Sequence, residues 1–447
     1  MTRPPADTPL PDADVLIVGL GYVGLTLAVG LAEAGANVVG FDVSAARSAD
    51  LGSGDLPFYE PGLAETVAAL PPHRLRATNT LPDVLPPATV ICVGTPIVEA
   101  TRQPDLTALQ QVAGALRERI GDGQLVVLRS TVPVGTARRI IVSALQERAP
   151  HVRFAVCPER TIQGQALREL RELPQVIGGL DAASAEAASQ LFRPLSPRQA
   201  RVSSIEAAEM VKLVNNCHTD TIYGFGNEVA LLAEALGLDA GEVIGAANID
   251  YPRPDLNQPG FVGGGCLTKD PYLLMASTAE HGHVPELVSA ARRLNEAVPE
   301  HQVDRLLRAL KNRPGNNAGS GSNPRVLVCG LAYKGTPPTD DTRGSPAPPV
   351  IARLRDHGVD VVAHDHMVTS EAAERMGAPL VDLADGFAGS DGVIVLTNHP
   401  GYAAFDARAA VGTMRRPAVV VDGWGVLADQ LDGAPAEDVT YLRYGRG

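Results

Sequence analysis

Short apolar runs alternate with amphipathic stretches through the first two hundred or so residues of the chain. Val15–Val18 is continuously apolar, the pattern of a parallel strand buried on both faces. In "DVLIVGLGYVGLTLAVGLAEAGANVVGFDV" it predicts a strand, a glycine turn, a helix over residues 25–34 and a second strand at "NVVGFD". Apolar runs within 89–96, 124–133 and 153–160 predict further strands. Strands alternating with helices make a doubly wound α/β sheet.

From residue 205 to about 309 the period becomes helical. "SIEAAEMVKLVNNCHTDTIYGFGNEVALLAEALGL" contains no proline, and a helix of this length suits linking two domains or pairing two subunits. "KNRPGNNAGSGSNP" then has the composition of a linker. After it, "RVLVCGLAYKG" repeats "DVLIVGLGYVG" nearly position for position, and "VDVVAHDH" repeats "ANVVGFDV". The expected plan is an N-terminal arm (1–13), a first α/β domain (14–204), a helical connector suited to dimerisation (205–310), the linker (311–324) and a second α/β domain (325–447).

Composition narrows the function. The net charge of −13 argues against a nucleic-acid binder, whose footprint is basic. Small anions remain possible ligands, because a few arginines and helix ends bind them locally. The five cysteines are scattered without a CxxC pair, which fits a reduced compartment. No signal-peptide pattern and no membrane-length apolar run is present, so a cytoplasmic location without membrane attachment is expected.

Gly19, Gly21 and Gly24 form GxGxxG between a strand and a helix. The first glycine permits the turn, the second admits a pyrophosphate, and the third lets helix and strand pack closely. Asp42, at the end of the next strand, suits both hydroxyls of an adenosine ribose and would repel a 2′-phosphate, so the cofactor expected is NAD. Both α/β domains are thus expected to be Rossmann-like, joined by the long central helix. The second copy keeps Gly330 and Gly335 but has Ala332 at the central position and Lys334 where Val23 stood. It is expected to meet a phosphate-bearing ligand in another manner.

"GFVGGGCLTKD" sets Cys266 in a permissive loop whose glycines, Gly263 among them, expose the sulfur and let a substrate approach. Lys269, or another cation brought in by folding, would favour the thiolate. Cys92 and Cys329 lie in apolar strands and read as structural; Cys157 and Cys217 are weaker candidates for a nucleophile. NAD with a nucleophilic thiol implies oxidation of an alcohol to an aldehyde, capture as a thiohemiacetal, a second oxidation and thioester hydrolysis.

The motifs "GLGYVG", "VGTP", "STVPVGT", "CPER", "KLVNN", "GGGCLTKD" and "GLAYKGTPPTDDTRGSP" occur in this order. With them the chain resembles the UDP-glucose/GDP-mannose dehydrogenase family of nucleotide-sugar 6-dehydrogenases over nearly its whole length. The resemblance implies that Tyr22, Val23, Arg47, Thr95 and Thr131 join Gly19, Gly21, Gly24 and Asp42 in holding NAD. It implies Cys266 as nucleophile, Lys212 and Asn216 as support for the reacting sugar, and Glu159, Thr131 and Asp270 as groups that position water and move protons. Lys334, Arg343, Arg160, Phe261, Gly263 and Arg253 are implied as contacts of the nucleoside-diphosphate sugar, alongside Glu159, Lys212 and Asn216. The Arg253 contact would cross to the neighbouring subunit of a homodimer built on the central helix.

Three positions depart from the family pattern: Phe261 where glycine is common, Thr268 where proline is frequent, and Trp424 in "VDGWG" at the place of a cation. "CPERTIQGQALRELRELPQVIGG" is similar to the branch acting on UDP-N-acetylhexosamines, whereas the Lys-Asp ending of the cysteine motif is common among glucose enzymes. The expected substrate is UDP- or dTDP-glucose, with UDP-N-acetylglucosamine or UDP-N-acetylmannosamine as the alternative. Rival readings are a non-catalytic nucleotide-sugar-binding protein and a one-step hydroxyacid-type dehydrogenase. The histidines around Asp365 suggest a polar loop edge, and no metal is expected.

Overall fold

The computed structural model describes residues 12–53, 56–252, 255–312, 323–433 and 438–446. Most of the expected arm and linker, and Arg253, lie outside the described residues. The chain divides into two compact units, Met1–Asn216 with Tyr272–Pro285, and Cys217–Pro271 with Glu286–Gly447.

The first unit holds eight strands: β1 Val15–Val18, β2 Val38–Phe41, β3 Leu75–Thr78, β4 Ala88–Ile91, β5 Leu125–Leu128, β6 Arg153–Val156, β7 Gln175–Gly179 and β8 Gln199–Val202. Their order is β3-β2-β1-β4-β5-β6-β7-β8. Every pairing is parallel except β6 with β7. All residues of β1, β4 and β5 are buried, which is why these strands carry no polar face. The chain reverses its direction of progress between β1 and β4, the switch point at which open α/β sheets bind ligands. The first helix, Tyr22–Glu33, starts three residues before its expected position, because Gly21 is extended (φ −69°, ψ −171°) and acts as its N-cap.

The second unit holds β9 Arg325–Cys329, β10 Asp360–His364, β11 Gly392–Val395, β12 Ala418–Asp422 and β13 Val439–Arg443. They form an all-parallel sheet in the order β10-β9-β11-β12-β13. The expected connector resolves into helices Ile205–Leu236, Ala240–Asn248, Asp270–Ala279 and Glu286–Lys311. Its residues are shared between the two units rather than forming a third. Among the described residues, no helix is long and apolar enough to cross a membrane.

Candidate active site

In the first unit the turn after β1 is shaped by its three glycines. Gly19 has φ +95°, and a Cβ there would lie 2.9 Å from the Cys92 carbonyl oxygen. A Cβ on Gly24 would run into the Gly19 carbonyl, while one on Gly21 would meet nothing within 4 Å. That open space lies at a helix start which no side chain caps, so the first-turn N–H groups are available to a phosphate. Asp42 follows β2 and is 5% exposed. Its carboxylate accepts from the Leu20 N–H (2.8 Å) and the Ser44 N–H (2.9 Å) and pairs with Arg47 (3.3 Å). The residues present therefore fit a dinucleotide. Val23 packs on the core beneath the sheet, and the Tyr22 hydroxyl donates to Glu60.

The loops after β4, β5 and β6 carry the next group. The Thr95 hydroxyl donates to the Thr131 carbonyl, and that of Ser130 to the Val93 carbonyl (2.7 Å), which ties two loops together. Glu159 is 6% exposed and both its oxygens are taken. One meets Arg129 through Nε (3.1 Å) and Nη2; the other accepts the backbone N–H groups of Arg160 (2.6 Å) and Thr161 (2.7 Å). Burial pushes its carboxyl up, but Arg129, the Thr161 N–H and Lys212 outweigh burial and hold it below its ordinary value. With its lone pairs filled, Glu159 is a fixed anion rather than a ready base. Lys212 is 7% exposed and Asn216 half-buried, one turn apart on the long helix. The Arg160 guanidinium donates to the Pro174 carbonyl.

In the second unit, Cys266 is exposed while the other four cysteines are buried. Burial pushes the Cys92, Cys157 and Cys217 thiols up to about 12 and that of Cys329 higher still, so none of these supplies thiolate at neutral pH. The Cys266 carbonyl accepts from the N–H groups of Lys269 (3.1 Å) and Asp270 (2.9 Å), and this bend opens the helix Asp270–Ala279. Lys269 Nζ is spent on Asp270 Oδ1 (2.5 Å). The cation that folding brings to the thiol is Arg343, whose Nε lies 3.7 Å from the Cβ position of Gly265. Hydrogen bonding to Asp341 holds the Arg343 guanidinium above its ordinary value, and Cys266 adds in the same direction. Gly263 packs too closely on the Gly344 carbonyl to admit a Cβ (2.6 Å). Lys334 Nζ lies 5.5 Å from the centre of the Tyr333 ring.

Two of the positions that depart from the family pattern meet here. Phe261 is 3% exposed, packed in the core of the second unit, and its ring occupies the space a Cβ on Gly423 would need. The Trp424 ring lies 2.6 Å from the Cβ position of Gly260, and its indole N–H donates to the Leu396 carbonyl (3.0 Å). Phe261, expected beside a sugar, is thus placed as a packing residue.

The second copy of the glycine turn is closed. Asp365 accepts from the N–H groups of Leu331 (2.6 Å) and Ala332 (3.0 Å) through one oxygen, and from Met367 (2.7 Å) and Val368 (3.0 Å) through the other. Ala332 is 2% exposed. The Leu331 bond matches that of Leu20 to Asp42 in the first turn; what differs is that the central N–H, that of Ala332, is also bonded within the protein. Beside them His366 stacks on His399, ring centres 4.3 Å apart. Burial and mutual repulsion push His364 down to about 4. Among the described residues no cluster of His, Cys, Asp or Glu has metal-binding geometry.

A doubly wound sheet whose open phosphate turn is followed by an acidic ribose position is the cofactor half of a nicotinamide-dependent oxidoreductase. Residues 13–196, 206–297 and 327–429 match, in order, the NAD binding, central and UDP binding domains of the UDP-glucose/GDP-mannose dehydrogenase family. The UDP-N-acetyl-D-mannosamine dehydrogenase of Methanocaldococcus jannaschii is 31% identical over 395 residues, 88% of this chain and 87% of that one. The solved UDP-D-ManNAc dehydrogenase of Pyrococcus horikoshii matches at TM-score 0.84 and 30% identity, covering 97% of this chain and 99% of the other. A UDP-glucose dehydrogenase of Pyrobaculum islandicum matches at TM-score 0.81 and 29% identity, covering 98% and 100%. The chain belongs to the UDP-glucose/GDP-mannose dehydrogenase family: it is an NAD-dependent nucleotide-sugar dehydrogenase.

Proposed function

We propose that the protein oxidises C6 of a UDP-N-acetylhexosamine, UDP-N-acetyl-D-mannosamine foremost, to the carboxylate. The observation that carries this choice is the match to UDP-N-acetyl-D-mannosamine dehydrogenases across most of the chain. The stretch beginning at "CPERTIQG" supports it. The likeness to a UDP-glucose dehydrogenase keeps UDP-glucose as the second reading, although the sequence alone favours glucose.

NAD, when bound, supplies the hydride acceptor for both oxidations. Gly21 and the helix start behind it hold its diphosphate, and Asp42 its ribose. The Lys212 ammonium stabilises the alkoxide formed as the C6 hydroxyl loses its proton. Loss of a hydride from that alkoxide leaves the aldehyde. The Cys266 thiolate adds to its carbon, and the resulting thiohemiacetal loses its hydroxyl proton and a second hydride to become a thioester. Water attacks that carbonyl, the C–S bond breaks, and carboxylate and thiolate are released. Asn216 and Thr131 orient the reacting groups, and Asp270 takes up a proton from the attacking water. Glu159 acts through its charge on Lys212. Arg343, with Lys334, Arg160 and Gly263, contacts the nucleoside diphosphate sugar.

The exposed apolar residues Ile222, Phe225, Leu232 and Leu236 recur along the long helix and support its pairing with a second copy of the chain.

Two NADH should form per UDP-N-acetyl-D-mannosamine consumed, with UDP-N-acetylglucosamine, UDP-glucose and dTDP-glucose run alongside. Cys266→Ser should lose at least 1,000-fold in the overall reaction, roughly 4 kcal/mol of barrier. One NADH per sugar, or full turnover by Cys266→Ser, would sink the thioester route. No NADH from any of the four sugars would sink the substrate assignment.

A further inference from the structure

The loop around Cys266 makes few regular backbone bonds, so something else must fix where its sulfur sits. Four fully or almost fully buried polar side chains lie beneath it: Asp220 and Asn227 on the helix Ile205–Leu236, Arg292 and Asn295 on the helix Glu286–Lys311. Arg292 Nη1 donates to Asp220 Oδ1 (2.9 Å) and to the carbonyl of Leu267, the residue after the thiol (2.7 Å). Asn295 Nδ2 donates to the Asp220 carbonyl (2.8 Å) and to Asp220 Oδ1 (2.9 Å). Asn295 Oδ1 accepts from Asn227 (2.9 Å), and Asn227 Oδ1 accepts the N–H of Gly260 (2.8 Å). One connected network therefore grips both flanks of the segment from Gly260 to Leu267.

A network of this kind is expensive as a source of stability. A buried ion pair returns little net stability against apolar residues of the same volume. Here one carboxylate oxygen, Asp220 Oδ2, is left without a hydrogen bond. Both bonds to the Asp220 side chain fall on the other oxygen, the one through which Arg292 and Asn295 are aligned. A fold seeking only stability would fill this volume with leucine. The same volume filled with directional bonds fixes a backbone, which a nucleophile needs to within about 0.5 Å.

We propose that Asp220, Asn227, Arg292 and Asn295 are positioning residues that hold the Cys266 loop in its reactive geometry. None is assigned contact with substrate or cofactor; they act through the Leu267 carbonyl and the Gly260 N–H. The catalytic part rests on Cys266 being the nucleophile proposed above, whereas the anchoring part stands without it.

The test reads both parts on full-length protein, with Arg292→Met and Asn227→Ala as disrupting variants and Asp220→Asn as the conservative one. Arg292→Lys replaces Arg292→Met if the latter does not fold. In amide hydrogen exchange, the disrupting variants should speed exchange at least tenfold across residues 260–268, with β9 to β13 unchanged. Their kcat should fall at least tenfold, with KM for NAD within twofold of wild type. Asp220→Asn keeps an oxygen facing Arg292 and Asn295, so its loop exchange and kcat should stay within threefold. Unchanged loop exchange would overturn the proposal, as would acceleration spread over the whole second sheet. Faster loop exchange with normal kcat would overturn it as well. A wild type inactive on every sugar tried would count against the nucleophile assignment, while the exchange data would still decide the anchoring.

Discussion

Phe261 and Trp424 show how far apart in sequence the causes of one local geometry lie. Phe261 looks from the sequence like a residue beside a sugar, because it interrupts a glycine loop. In the structure its ring fills the space above Gly423, and the Trp424 ring fills that above Gly260, so the two departures compensate each other's missing side chains. No inspection of either motif alone reveals this, since the pairing joins positions more than 150 apart. Phe261→Ala should destabilise the second unit by about 3 kcal/mol, the cost of emptying a buried aromatic site. Calorimetry would show it as a lowered transition for that unit; a shift under a degree would mean that the ring is dispensable. The thiol's cation is a similar case. Lys269 is near in sequence but pairs with Asp270, while Arg343, nearly eighty residues on, is the cation beside the loop.

At the scale of elements, the apolar runs locate β1, β4 and β5 well, but an apolar run alone does not decide for a strand: residues 229–233 are apolar throughout and helical, while β3 and β8 carry no such run. The first helix is less legible, because its start depends on the extended conformation of Gly21 rather than on any periodicity. Less legible still is the π-helix Ala137–Val142, held at its start by Glu209. Glu209 accepts the N–H groups of Gly135 (2.6 Å) and Ala137 (2.8 Å) and is 3% exposed. Burial pushes its carboxyl up to about 7, against the lowering effect of those two N–H groups. The native state thus binds this proton more tightly than the unfolded chain does. Its contribution is full below the ordinary carboxylate value and is lost as pH rises towards 7. Glu209→Gln should therefore flatten the pH dependence of stability between about 4.5 and 7, by about 3 kcal/mol across that window. Denaturant titrations at several pH values would read it; equal slopes in the two proteins would refute the assignment.

Across the whole molecule, the repeated "VLIVGLGYVG" and "VLVCGLAYKG" correctly announce two sheets of related order, the second all parallel and the first parallel but for β6 with β7. The family, the cofactor and the nucleotide-sugar class were legible because seven motifs sit in order along one chain. The sugar was not: the "CPER" segment and the cysteine motif point different ways, and the relatives favour the N-acetylhexosamine alternative over glucose. A sugar's substituent at C2 is read by a few contacts, and a few contacts leave no periodic trace.

The closed second turn has a consequence for counting. Asp365, at the position matching Asp42, takes the N–H of Ala332 as well as that of Leu331, so the central donor of this turn is already bonded where a dinucleotide phosphate would need it. Calorimetric titration with NADH should accordingly saturate at one equivalent per chain, whatever the assembly state. A second equivalent of comparable affinity would mean that the duplicated turn still works. If the ratio stays at one, the two similar turns differ in their central residue, since Asp42 and Asp365 hold matching positions while only the second turn carries Ala332 with its N–H bonded to that carboxylate.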